Sequence, residues 1–256
     1  MKYLLLRVCL LITTTFASLN AQENVQRQAI VHNDEGRAFY ATGNFEASVQ
    51  SLSRAAFLLP NDATIQFNLG TAHAKLGQFD KAAKAFEKVT KLRPGDALAF
   101  NELGVSYMEI NQDGKAESAL AEAVRLNPHL SVYLYNLGLI RIKTNKYKAA
   151  ATSLETAKLL DHANPKIRVN LGYAYAMQKK YWEAIVEISK AVELQPSNDE
   201  VQVFLGNLYL FANDKERALA QYVAIQVRNP EMAKKLYQNI YRDKLLMLSY
   251  YRGSNK

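Results

Sequence analysis

An all-α solenoid of six helix pairs is the fold this sequence predicts, and three observations predict it. Gly36, Gly70, Gly104, Gly138, Gly172 and Gly206 recur every 34 residues without a slip. Pro60, Pro94, Pro128, Pro196 and Pro230 keep the same period, with His162 in the one vacant slot. Around these markers the same order of apolar and small residues returns, as in "FNLGTAHAKLGQFDKAAKAFEKVTKLRP" (67–94). A period of this length marks a repeat protein. No single unit buries its own apolar stripe, so neighbours must stack.

The chain opens with "MKYLLLRVCLLITTTFASLNAQE", which has the layout of a secretory signal peptide. Lys2 and Arg7 come first, then an apolar run from Val8, then small and polar residues. That run is far shorter than the roughly 20 residues of a spanning helix. Cleavage after Ala21 makes residues 1–21 the signal; cleavage after Ala17 and retention as an anchor are the alternatives. Export follows, to the periplasm in a bacterium and to the outside otherwise. The sole cysteine, Cys9, lies inside this segment, and "LRVC" is no lipobox. The processed chain therefore has no disulfide, thiolate ligand or cysteine nucleophile. Residues 22–28 form a short lead-in, which predicts fraying of the helix that follows.

Six repeats come next, at 29–62, 63–96, 97–130, 131–164, 165–198 and 199–232, each of two short helices. Glycine at position 8 leaves no side chain between paired backbones, so the two helices approach closely. Ala82, Ala116, Ala150, Ala184 and Ala218 in the second helices accept a neighbour's bulk. Proline at position 32 cannot continue a helix and closes the repeat. Residues 233–256 form a basic C-terminal capping helix and tail, with Leu236, Ile240, Met247 and Leu248 along one side. A terminal repeat needs such a cap.

Segments 67–94, "FNELGVSYMEINQDGKAESALAEAVRLNP" (100–128) and "VNLGYAYAMQKKYWEAIVEISKAVELQP" (169–196) resemble tetratricopeptide repeats (TPR). They share a large apolar residue, Leu-Gly, an aromatic three residues later, alanine in the second helix and a closing proline. The likeness covers residues 29–232. It implies a right-handed TPR superhelix that acts as a protein-interaction scaffold or adaptor, taking a peptide or partner segment in its concave groove. Two departures matter. The tryptophan common early in the pattern is replaced by His32, Gln66, Phe100, Leu134, Arg168 and Gln202. Arg141 fills an aromatic slot, where a charge must be paired or reach outward. The carboxylate clamp of co-chaperone TPR domains is incomplete. Asn101 and Val105 stand where lysine and asparagine belong, and Asn170 stands where a basic residue belongs.

Catalysis finds little to stand on. His32, His73, His129 and His162 fall at four different repeat positions and make no metal-ligand spacing. "GKAES" (114–118) lacks the upstream glycine and Lys-Ser/Thr of a phosphate loop and reads as a turn into a helix. No Gly-x-Ser-x-Gly occurs, and the acids are spread along helix surfaces. The sequence predicts no enzyme, no cofactor and no metal. Formal charge is +8, of which residues 233–256 carry +5. With Lys2 and Arg7 removed the body carries about +1, which gives a nucleic-acid partner no support.

At about 100° per residue, positions 4, 7, 8 and 11 of the first helix share one side and positions 2, 5, 9, 12 and 13 the other. The second set is the concave one in the TPR family. It is most apolar in repeats four to six: Val132, Tyr135, Leu139 and Ile142; Val169, Tyr173 and Met177; Val203, Asn207 and Phe211. Asn68, Asn136 and Asn170 at position 6 flank it, and an amide offers donors and acceptors to a peptide main chain. These residues form the predicted partner-binding groove. The alternative is filling from within, by neighbouring helices or by the C-terminal helix folded back. The basic tail carries a second reading, membrane-surface contact by a pilotin-like or outer-membrane-assembly factor.

Overall fold

The computed structural model describes the backbone of residues 2–242 and the side chains of residues 22–241. Met247 and Leu248, placed above on the apolar side of the tail, lie outside the described residues. All regular elements among the described residues are α-helices. Contacts divide the chain into two units, Met1–Asn127 and Pro128–Lys256.

The first unit holds α1 (Lys2–Ala41), α2 (Phe45–Leu58), α3 (Ala63–Lys75), α4 (Phe79–Leu92), α5 (Ala97–Glu109) and α6 (Asp113–Leu126). The second holds α7 (Ser131–Lys143), α8 (Tyr147–Leu160), α9 (Pro165–Met177), α10 (Tyr181–Leu194), α11 (Asp199–Phe211), α12 (Lys215–Gln226) and α13 (Pro230–Arg242). From repeat two onward every first helix spans positions 1–13. The expected fraying of repeat one is corrected: α1 runs as one helix through the lead-in. Residues 22–28 are exposed along it, and Ala29 is the first buried side chain among the described residues. No helix among the described residues is long and apolar enough to cross a membrane.

Local chemistry sets the helix ends. Asp62, Asp96, Asn164 and Asn198, each at position 34, accept hydrogen bonds from backbone N–H groups of the helix they open. Leu130 holds that place in repeat four and offers no side-chain cap. Between the paired helices the residue at position 15 always has a left-handed backbone: Gly43, Gly77, Asn111, Asn145, Lys179 and Asn213. Glycine and asparagine reach that conformation at least cost, whereas Lys179 is strained there.

Packing follows the register. A Cβ added at Gly36, Gly104 or Gly138 would lie 2.5–2.7 Å from the Cγ of Leu52, Leu120 or Leu154 on the partner helix. At Gly172 it would meet Ile188 at 2.6 Å. Ala82, Ala116, Ala150, Ala184 and Ala218 are all fully buried. The missing tryptophan is replaced by a polar device. Gln66, Arg168 and Gln202 each donate to the carbonyl of the residue six earlier, Pro60, His162 and Pro196. They thereby satisfy a position-32 carbonyl in the turn between repeats. Arg141 is paired as expected, donating to Ser153 Oγ at 2.6 Å and to the Ala149 carbonyl at 3.3 Å.

The last repeat departs from the pattern. Pro230 opens a helix at the first position, where its missing N–H costs nothing, and Asn229 caps it through the Met232 N–H at 3.1 Å. The capping helix therefore starts at 230 instead of 233. It packs on both α11 and α12, with Leu236 fully buried. A Cβ at Gly206 would meet Leu236 Cδ2 at 2.6 Å. In the other repeats that place belongs to the repeat's own second helix.

Candidate partner-binding groove

The predicted groove residues fall into three groups. On α7, Val132 is 49% exposed, and Tyr135, Asn136, Leu139 and Ile142 are partly buried. The opposite side of the same helix is core, with Tyr133, Leu134, Leu137 and Ile140 between 0 and 7% exposed. α7 thus keeps a second apolar face after its packing is complete.

On α9 the expectation needs correction. Val169 and Tyr173 are buried in a cluster with Ile188, Val201, Phe204 and Leu205 and present no surface to a partner. Ile142 and Met177 pack against the same cluster and are only partly covered. The helical wheel treats a helix as isolated, whereas stacking brings the next first helix over positions 5 and 9 of this repeat.

On α11 the chain's own α13 covers the stripe. Asn239 donates to Asn207 Oδ1 at 2.8 Å, and Val203 and Leu210 pack against the Leu236 cluster. Phe211 stacks on Tyr181 with ring centroids 5.2 Å apart. Filling from within therefore accounts for Val203 and Asn207, and the partly covered surface that remains lies on α7 and the near side of α9.

The asparagines have other work than main-chain recognition. Asn170 donates from Nδ2 to the Lys166 carbonyl at 2.9 Å and to the Tyr135 hydroxyl at 3.3 Å. It ties α9 to α7 across one repeat. Burial raises the pKa of the Tyr135 hydroxyl, and the Asn170 bond opposes that shift. Asn68 lies in the first unit and donates to Asn33 Oδ1 at 2.9 Å. Two of the three flanking amides are thus inter-repeat ties.

The tetratricopeptide repeat family model matches residues 33–88, 67–131 and 135–199, together more than half of the chain. The chain belongs to the tetratricopeptide repeat family. No curated protein gives a significant match to the sequence. Among solved structures, MamA from Desulfovibrio magneticus RS-1 is 26% identical, with a TM-score of 0.63, covering 67% of this chain and 97% of that one. YrrB, described as a TPR protein with an unusual peptide-binding site, is 19% identical with a TM-score of 0.65, covering 74% and 99%. PilF of Pseudomonas aeruginosa is 18% identical with a TM-score of 0.67, covering 86% and 100%. The last two show the fold alone. The TPR fold is a protein-interaction scaffold, and no catalytic family is indicated.

Two further TPR features escaped the sequence reading. Two of the position-11 tyrosines reach back to an acid 20 residues earlier: Tyr107 donates to Glu87 at 2.5 Å, and Tyr175 donates to Glu155. Burial first, and then the neighbouring carboxylate, push both hydroxyls far above the usual tyrosine range. The second feature is Glu187, 6% exposed, held by Lys158 at 2.6 Å and Arg168 at 2.8 Å. A carboxylate at position 23 facing a basic residue at position 4 was the available signal.

Proposed function

We propose that this TPR protein is an exported, non-enzymatic scaffold that holds an apolar segment of a partner protein on the face made by α7 and the edge of α9. One observation carries the reading: α7 completes its core packing through Tyr133, Leu134, Leu137 and Ile140, yet Val132, Tyr135, Leu139 and Ile142 keep open surface. Contiguous apolar surface of this kind marks interaction sites. The peptide-binding description of YrrB supports the same use of the fold. The test is fluorescence-anisotropy screening of a peptide library against the full chain and its Val132→Ser/Leu139→Ser variant. Both side chains lie outside the buried core, so folding survives, and peptides selected by the parent lose about tenfold in affinity. Unchanged affinities would remove the groove from the function. Export is checked by N-terminal sequencing of the secreted or periplasmic product, which begins at Gln22 after cleavage at Ala21.

A second reading is cell-envelope assembly with a membrane-surface contact. Lys234, Lys235, Tyr237 and Tyr241 are exposed on α13, and Lys215 lies 4.6 Å from the Tyr241 ring centroid. Basic groups interleaved with tyrosines suit an anionic interface. Co-sedimentation with anionic vesicles, abolished in Lys234→Glu/Lys235→Glu, supports it; binding equal to that of neutral vesicles removes it.

A further inference from the structure

A surface helix of a globular protein keeps its outer face polar, and α12 departs from that pattern. Ala220, Val223, Ala224 and Val227 are all exposed, the two valines at 62% and 90%. Spaced i, i+3, i+4 and i+7, they form one stripe along the helix. It lies on the side away from Ala218 and Ile225, which are fully buried. The four residues occupy positions 22, 25, 26 and 29. At those positions every other repeat has at least three polar or charged residues, as in Lys84, Glu87, Lys88 and Lys91 of repeat two. The stripe is not the open end of the array, because α13 covers the packing side of α12. Trp182 and Val186, at positions 18 and 22 of α10, are 52% and 65% exposed and extend the apolar surface. Arg217 of α12 stands 5.8 Å from the Trp182 ring centroid, so the two outer faces adjoin.

We infer that this stripe is a contact between two copies of the chain, with their α12 helices antiparallel across a two-fold axis. Shape is the first reason. Pairing centred between residues 223 and 224 sets each Val223 against Ala224 of the other copy, and each Val227 against Ala220. Large meets small throughout, as close helix packing requires, and every contact is made twice, as a two-fold requires. A parallel pairing would set valine on valine and alanine on alanine. Charge is the second reason. Residues 214–231 carry three acids, Asp214, Glu216 and Glu231, and three bases, Lys215, Arg217 and Arg228. Two of those bases are held within the chain, Arg217 by Asp214 at 3.3 Å and Arg228 by Asp199 at 2.8 Å. Two such helices therefore meet without net repulsion. On α10, Lys190 pairs with Glu193, Glu187 is buried against Lys158 and Arg168, and Glu183 is exposed. Neither helix has the basic excess that an anionic lipid surface selects.

The test is sedimentation velocity of the full chain over a concentration series. The parent forms a dimer of micromolar affinity, as a contact smaller than the standard interface gives. Val223 stands beside the axis, so Val223→Lys or Val223→Glu sets like charge near like and weakens the dimer at least about tenfold. Circular dichroism stays unchanged, because the side chain lies outside the core. An equimolar mixture of the two variants opposes unlike charges and regains the dimer. A parent that stays monomeric overturns the inference, and so does a dimer indifferent to Val223→Lys or a mixture that fails to associate. A dimer weakened by Leu139→Ser seats the stripe on α7 of another copy and overturns the two-fold contact. Co-sedimentation of a monomeric parent with neutral vesicles, lost in Val223→Lys, assigns the stripe to lipid and overturns it too. The groove on α7 takes no part in this contact, so either reading can fail alone.

Discussion

Docking of α13 on Gly206 can be tested by a double-mutant cycle whose sign depends on that contact. Leu236 is fully buried, and its Cδ2, Cδ1 and Cγ lie 2.6, 2.9 and 3.3 Å from where a Cβ at residue 206 would stand. Leu236→Ala removes those three atoms and leaves a cavity, which costs about 3 kcal/mol. Gly206→Ala alone gains about 1 kcal/mol of helix propensity but forces an overpacked contact costing roughly 1–3 kcal/mol, so it destabilises by about 1 kcal/mol. In the Leu236→Ala background the obstructing atoms are gone. There the same Gly206→Ala change stabilises, by about 1 kcal/mol of propensity plus partial refilling of the cavity. The cycle therefore predicts a coupling of about 2 kcal/mol, well above the roughly 0.5 kcal/mol scatter of independent sites. Urea unfolding of the four proteins, followed by circular dichroism, measures it. If Gly206→Ala has the same effect in both backgrounds, α13 does not sit on α11 as described, and Val203 and Asn207 return to the open groove.

Three other outcomes follow from the packing. Lys179→Gly relieves a left-handed lysine worth about 1–2 kcal/mol and gives back part of that in chain entropy, so thermal unfolding shows a net gain of about 0.5–1 kcal/mol. Glu187→Ala strands Lys158 and Arg168 in a largely buried place and costs about 3 kcal/mol, whereas Lys190→Ala, which breaks an exposed pair with Glu193, changes stability by less than about 0.5 kcal/mol; denaturant midpoints separate the two. His73 has a pKa lowered from its ordinary value, chiefly by burial and further by Lys81, with the Gln78 hydrogen bond opposing. The unfolded chain then binds the proton more readily, so stability falls as pH drops below the ordinary histidine value of about 6.5. The parent accordingly loses more stability than His73→Gln between pH 7.5 and pH 5.5, and parallel melting curves would refute this.

The period of 34 residues fixed the repeat starts, and the first helices of repeats two to six begin at those residues because each repeat obeys one geometry. Glycine at position 8, alanine in the second helix and the position-34 caps each mark a fixed contact. The left-handed position 15 was equally visible, as Gly43, Gly77, Asn111, Asn145 and Asn213. It went unread because two residue types share the slot and Lys179 breaks the series. The groove was less legible for a physical reason. A wheel assigns faces to one helix, but positions 3 and 10 of each later first helix are also buried, as Ile65, Ala72, Ile167 and Ala174 show. Burial at these positions comes from the neighbouring repeat, and the wheel contains no neighbour. Val169 and Tyr173, at positions 5 and 9, were misplaced because they share a buried cluster with Val201, Phe204 and Leu205 of the next repeat, and Asn170 because its bond to Tyr135 joins two first helices and is not visible on one.

The first and sixth repeats differ in how they treat their stacking faces. Position 7 is leucine in repeats two to six but Glu35 in repeat one, where it bonds His32 at 3.0 Å. Val31 and Ala38 hold the positions that later repeats bury, and here they stay exposed beside Asp34 and Arg37, which pair with each other at 3.6 Å. The first repeat thus sets Asp34, Glu35 and Arg37 among exposed apolar groups that include Ile30, Val31 and Phe39. At the other end α13 covers Gly206, Val203 and Leu210. The sixth repeat thus has the apolar groups of its stacking face covered by α13, whereas the first leaves Val31 and Ala38 exposed. On α7, Val132 is exposed, while Tyr135, Leu139 and Ile142 are partly covered, Tyr135 bonded by Asn170 and Ile142 packed on the Val169 cluster. The proposed function assigns this remaining apolar surface on α7 to a partner segment.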